Sequence, residues 1–416
     1  MELKRAVVTG LGAVTPVGNN VPEFWKNIID GVSGCEPITR FDTSKFKTRF
    51  ACQVQNFDPT QVIDKKEVRK LDLFSQFSLV CAHEAVLDSG LDMEKIDHDR
   101  AGVIWGSGIG GIETFLQEMR GYLGGDGTPR YSPFFIPRMI ADIAGGHISI
   151  KYNFRGPNYT TVSACASSNN AIAEALMLIR LGKADIIIAG GSEAAINEPG
   201  LGGFNAMHAL STRNEEYKTA SRPFDGTRDG FVMGEGGGAL IIEEYEHARK
   251  RGARIYCELL GAGLTADAYH LTAPHPEGLG ARKVMELAIQ DAGLKPKQID
   301  YINMHGTSTP LNDVAEATAV KAVFGDHAYK MHLSSTKSMT GHLLGAAGVV
   351  EAIATILAIR DSVVPPTMHF TTEDPNIDYK LNFTFNKAQQ RNIRYALSNT
   401  FGFGGHNVSV VFGKLS

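Results

Sequence analysis

The chain has 416 residues, of which 43% are apolar and 21% charged, and its formal net charge is −4. Those proportions belong to a globular protein and exclude extended disorder, while the negative balance excludes a general nucleic-acid binder and leaves room only for a local basic patch. Five cysteines without a CxxC pair, and no secretory leader ahead of RAVVTG, lead us to expect a reducing cytoplasm with neither structural disulfides nor a metal site.

In chain order, β-rich runs are predicted at 5–9, 101–105, 158–163, 185–189 and 239–243, with helices at 72–89 and 166–181 among them. A second series follows, with strands at 254–260, 299–304, 332–335, 394–397 and 408–412 and helices near 278–292, 313–323 and 345–360. Five strands with interleaved helices thus occur twice, and RAVVTGLGAVT is faintly echoed by RIYCELLGAGLT. The reading is an α/β protein of two related halves, 1–252 and 253–416, with mixed sheets covered by helices. The longest apolar stretch, 342–359, carries Glu351 and is expected to be a buried helix, not a membrane insertion.

Two glycine clusters imitate nucleotide loops. GLGAVT from Gly10 lacks the third glycine of a dinucleotide fingerprint. GSGIGG at 106–111 matches GxGxxG, but LGGDGTPR follows it where a second strand ending in an acidic residue belongs, which argues against a nicotinamide site.

The chemistry-bearing residues lie elsewhere. In TTVSACASSNNAIAEALMLIRLG, Cys165 stands among small residues where a strand gives way to a helix, so unpaired backbone N–H groups and the helix dipole are expected to lower its pKa. A nucleophile and an inert buried thiol both fit that local context. His305 follows a strand in INMHGTSTPLND, either as a site residue or as a loop tie. In SSTKSMTGHLLGAAGVVEA, Lys337 and His342 occupy a small-residue loop before the apolar helix, and Glu351 is the expected buried partner of the lysine. SNTFGFGGHN alternates aromatics with glycines, so Phe401 and Phe403 either swing, or offer backbone N–H groups to an oxyanion, or simply join two strands.

Together these segments resemble the β-ketoacyl-acyl carrier protein synthases, condensing enzymes of the thiolase superfamily, and most closely the elongating type II enzymes. The resemblance runs from VVTGLGAVTPVGN through LSTRNEEYKTASRPFDGTRDGFVMGEGGGALIIEEYEHARKRGA to FGFGGHN. It implies a duplicated five-layer αβαβα fold with two mixed five-stranded sheets, a homodimer, and decarboxylative Claisen condensation with no cofactor beyond the phosphopantetheine of acyl carrier protein. It places the catalytic cysteine and histidines at Cys165, His305 and His342, with Lys337 and Glu351 as a supporting pair. It further implies Phe403 as gate, Thr307 and Thr309 as contacts to the pantetheine arm, and Ile109 and Phe204 as walls of the acyl pocket. Lys66, Arg69 and Lys70 in DKKEVRK, with Arg130, match the surface that docks the acidic carrier. One departure is His208, which stands after GGF where an arginine is expected.

Related activities fit less well. A degradative thiolase needs a second cysteine near the C-terminus, and none follows Cys257; a type III priming synthase uses Cys-His-Asn, whereas TGHLL supplies His342. A non-catalytic chain-length subunit lacks the cysteine. A ketosynthase of a specialised polyketide or aryl-polyene pathway remains the alternative.

Overall fold

The computed structural model describes residues 3–415. Its framework is one large sheet. The first half contributes β1 (Ala6–Val14), β2 (Ala101–Gly106), β3 (Asn158–Thr161), β4 (Ile186–Glu193) and β5 (Gly236–Glu244). The second contributes β6 (Cys257–Ala266), β7 (Tyr301–Asn303), β8 (His332–Ser334), β9 (Tyr395–Gly402) and β10 (His406–Gly413). Every strand expected from the sequence is present.

The order across the sheet is β8-β7-β9-β10-β6-β1-β5-β4-β2-β3. Within each half the strands therefore lie third, second, fourth, fifth, first. The first three of these pair in parallel and the remaining contacts are antiparallel, identically in both halves. The two halves are thus topological repeats. One detail differs from the expectation of two separate sheets: Ala6–Val8 pairs antiparallel with Cys257–Leu259 and makes the ladder continuous. Both edges there are buried, and pairing them satisfies backbone groups that would otherwise be orphaned.

Five helices complete the layers: α1 (Leu73–Ser89), α2 (Ser167–Arg180), α3 (Leu279–Asp291), α4 (Pro310–Phe324) and α5 (Ala347–Asp361). Helix α1 packs on β1 and β5, and α3 packs on β6 and β10. Between the two halves lie α2 and α5, each touching strands of both. This is the αβαβα arrangement. Because α5 is enclosed on every side, it is buried from Ala347 to Ile359, which explains why its sequence is apolar all round. Among the described residues no helix is long and apolar enough to cross a membrane.

Strand β1 runs further than the sequence pattern predicts, through Gly10 and Gly12. A Cβ at either position would stand 2.2 Å or less from the backbone oxygen of Ala85 or Cys81 in α1. The glycines let strand and helix approach closely; they do not form a phosphate turn.

Candidate active site

The central helices begin alike. Ahead of α2, a 3₁₀ turn spans Ala164–Ala166, and ahead of α5 another spans Leu344–Ala346. The first residue of each turn is non-glycine in the left-handed region, Ala164 at φ 51° and Leu344 at φ 50°. Such backbone is costly for a residue with a side chain and clusters at functional sites. These turns touch each other, so two helix N-termini converge where Cys165 sits.

A cavity of about 360 Å³ opens there, lined by Cys165, His305, His342, Thr307 and Thr309 with Phe204, Phe401 and Phe403. Its size falls in the range of ordinary ligand sites. Cys165, His305 and His342 are buried within it. The histidine rings are nearly perpendicular at 5.3 Å between centroids, and Phe401 lies 5.5 Å from His305. Phe204 stands 6.4 Å from Phe403 and edge-on to Phe231, which in turn meets His342 edge-on at 5.4 Å. The Thr307 and Thr309 hydroxyls bond to each other at 2.9 Å.

Phe403 follows β9 in a tight hairpin, with Gly404 and Gly405 at φ 88° and 76°. The adjoining Gly402 packs against the Cys165 turn, where a Cβ would stand 3.1 Å from the Cys165 nitrogen. The FGFGG motif is therefore a strand connection that runs beside the cysteine.

One expectation is reversed. Burial pushes the Cys165 thiol up to about 12, although Lys337 and the Phe403 N–H oppose the rise. The helix start is where the sequence put it, but desolvation of the charged form outweighs it. At neutral pH the Cys165 side chain is therefore a thiol.

Burial, then Lys337, hold both imidazoles well below their ordinary pKa, so they are neutral. The Nδ1 atom of each is buried without a hydrogen-bond partner, which leaves Nε2 as the nitrogen facing the cavity. Neutral imidazoles with Nε2 protonated are donors for an oxygen that gains charge. Lys337 lies in a one-turn helix, Lys337–Thr340, and not in the loop anticipated; it is ion-paired with Glu351, both fully buried. Burial raises the Glu351 carboxyl to about 7, against the pull of Lys337.

Two carboxylates escaped the sequence analysis. Glu193, at the end of β4, accepts N–H bonds from Gly108 at 2.7 Å, Ile109 at 3.1 Å and Gly345 at 3.0 Å. The GSGIGG loop is thus an anion nest, filled by the chain's own glutamate in place of a phosphate. Glu316 in α4 does the same for the His305 loop, taking the His305 and Gly306 N–H groups at 2.8 Å each. A glutamate inside an otherwise apolar strand, DIIIAGGSEAA, was the signal that could have revealed the first.

Other candidates lie apart. Ile109 does not line the cavity and is 39% exposed, though it shares the Glu193 carboxylate with Gly345, next to cavity-lining Leu344. Lys66, Arg69, Lys70 and Arg130 are also outside the cavity. Lys70 pairs with Glu67 and Arg130 with Asp126, whereas Lys66 and Arg69 form no ion pair among the described residues. His208 is exposed at the cavity wall, in left-handed backbone at φ 53°.

Residues 4–248 match the family model for the beta-ketoacyl synthase N-terminal domain, and residues 256–371 match that for the C-terminal domain. The chain is 50% identical over 411 residues to 3-oxoacyl-[acyl-carrier-protein] synthase 2 of Staphylococcus aureus strain COL, covering 99% of this chain and 98% of the relative. Among solved structures, a beta-ketoacyl synthase from Burkholderia phymatum STM815 superposes with a TM-score of 0.92 at 34% identity, covering 99% of this chain and all of the other. A type II polyketide ketosynthase, solved with its acyl-carrier protein and bound to the hexaketide, gives 0.90 at 33% identity over the whole of both chains. With a thiol, two neutral imidazoles and converging backbone donors in one cavity, and with these full-length matches, the chain belongs to the beta-ketoacyl synthase family.

Proposed function

We propose that this chain elongates acyl groups on acyl carrier protein in fatty acid synthesis, joining an acyl donor to malonyl-carrier protein with loss of carbon dioxide. The observation that carries the reading is the placement of two neutral histidines across one cavity from a buried cysteine. In the first half-reaction the Cys165 sulfur attacks the acyl thioester, and the proton passes, in net terms, to the departing pantetheine thiol. The Cys165 and Phe403 N–H groups hold the tetrahedral oxyanion. In the second, malonyl loses carbon dioxide, and the electron pair forms an enolate whose oxygen is held by His305 and His342. The enolate carbon attacks the acyl-Cys165 carbonyl, a carbon–carbon bond replaces the carbon–sulfur bond, and the thiolate regains a proton.

No free cofactor enters this scheme, since both substrates arrive on the phosphopantetheine arm. Thr307 and Thr309, at the cavity wall, are assigned to that arm, and Phe403 to the gate between the half-reactions. The halves 1–252 and 253–416 divide the labour, one supplying the nucleophile and the other the two histidines. We assign the reaction to the cytoplasm, a setting supported by five cysteines that are all free thiols. The test is a reconstituted assay with acyl- and malonyl-carrier proteins. A β-ketoacyl product two carbons longer is expected; carrier-bound substrates returned unchanged would overturn the assignment. The full-length identity to a synthase 2 favours fatty acid elongation over a specialised polyketide pathway.

The acyl pocket is assigned along Phe204 and Leu344 toward Ile109, with self-association closing its far end. A sheet-edge strand, β3, with exposed Tyr159 and with exposed Val162 just after it, supports a homodimer formed at this edge.

Carrier docking is assigned to the Lys65–Val68 turn and its flank. Because Lys70 and Arg130 already have acidic partners, Lys66 and Arg69 are the two of the four that form no ion pair among the described residues. Their reversal to glutamate is expected to raise KM for carrier-bound donors several-fold and to flatten its salt dependence, sparing small pantetheine thioesters. Steady-state kinetics with both donor types decide; equal losses would indicate a damaged fold.

A further inference from the structure

Cys35 and Cys52 immediately flank two short strands, Glu36–Pro37 and Phe50–Ala51, whose register pairs Glu36 with Ala51 and Pro37 with Phe50. Continuing that register by one step sets Cys35 directly opposite Cys52. The ladder bond from Ile38 N–H to the Arg49 carbonyl makes alternate pairs hydrogen-bonded, so the cysteines form a non-hydrogen-bonded pair. In agreement, the Cys52 N–H points away from that strand, to the Met233 carbonyl at 2.7 Å. Facing residues of this kind have Cα atoms about 4.5 Å apart, within the span a disulfide bridges. Both side chains are buried in one small apolar cluster.

The pair also abuts the active site. The Cys52 sulfur is so close to Gly341 that a Cβ there would stand 2.8 Å from it, and Gly341 immediately precedes His342. Beside Cys35, the Gly34 N–H bonds to the Met339 carbonyl at 2.8 Å, in the turn that begins with Lys337. Both cysteine segments therefore brace the segment that carries Lys337 and His342.

We propose that Cys35 and Cys52 are an oxidisable dithiol, closed to a disulfide by hydrogen peroxide, and that closure displaces the Lys337–His342 segment. One sulfur attacks a peroxide oxygen, giving a sulfenic acid and hydroxide; the second sulfur displaces hydroxide from it and the S–S bond forms. The two thiols lose two electrons and two protons, and peroxide is reduced to two waters. Burial and the neighbouring sulfur hold the Cys52 thiol high, so the reaction is slow and follows local opening of the short strands. Drawing the Cys52 sulfur toward Cys35 removes the packing against Gly341. This site is independent of the substrate assigned above.

The test is to expose the folded protein to hydrogen peroxide, block remaining thiols under denaturing conditions, and map peptides without reduction. A Cys35–Cys52 linked peptide, reversed by dithiothreitol, is expected to replace most of the two free-thiol signals. Hydrogen exchange over 337–345 should then rise at least several-fold in the oxidised protein, with no such peroxide-dependent rise in Cys35→Ala, which keeps the Cys52 sulfur against Gly341. Recovery of both cysteines as blocked free thiols after Cys165 has been fully oxidised would overturn the proposal. So would a linked pair with no change over 337–345, which would remove its coupling to the site. Because the mapping is done on the unsubstituted chain, it does not depend on the variant folding.

Discussion

His305→Ala and His342→Ala should each slow malonyl decarboxylation by about 10²- to 10³-fold while leaving acyl transfer to Cys165 within a few-fold of the parent. The asymmetry follows from where charge develops. In the proposed scheme the enolate oxygen forms between the two imidazoles, whereas the oxyanion of acyl transfer faces the backbone donors at Cys165 and Phe403. Carbon dioxide release and single-turnover acylation separate the steps, and normal decarboxylation in both variants would refute the assignment. The same neutrality has a pH signature. An imidazole whose folded pKa is lowered stays uncharged as pH falls through about 6.5, the ordinary value. Decarboxylation by the parent should therefore be level across that region, with its acid limb at lower pH.

Lys337→Met should be the most destabilising of the site substitutions. It leaves the Glu351 carboxylate in a fully buried position with no cation, and breaking such a pair costs about 3–5 kcal/mol. Removing both partners, in Lys337→Met with Glu351→Leu, should recover most of that loss, since apolar replacements spare the desolvation of two charges. Denaturant unfolding measures this directly. Decarboxylation should not recover in full, however, because Lys337 is one of the charges that keep both histidines neutral. Without it their pKa values rise, and the acid limb of the decarboxylation profile moves to higher pH. A double variant with parental stability and an unmoved profile would reduce the lysine to a packing element.

Much of the framework is legible in the sequence because buried strands and helices write strong periodicities. The runs around 101–106 and 186–193 are apolar and β-branched, and the segment 347–359 is apolar on every face because every face is covered. Local patterns carry less about contacts across the chain. Nothing near Glu193 in sequence shows that four N–H groups, from residues 108, 109, 110 and 345, converge on it. The thiol pKa departs from the local pattern for a related reason: a helix start is visible in the sequence, while the depth to which a particular sulfur is buried is not. Likewise the register that faces Cys35 toward Cys52 depends on a ladder of only two residue pairs, too short to leave a periodicity. Ile109 sits in a recognisable loop, but which way the loop presents it is decided by the nest around Glu193.

In the proposed reaction a single sulfur carries the acyl chain. Intact mass spectrometry after incubation with an acyl-carrier protein donor should show one acyl group on the parent chain, mapping to Cys165, and none on Cys165→Ala. A persistent acyl adduct on that variant, or an unmodified parent chain under conditions where product forms, would contradict it.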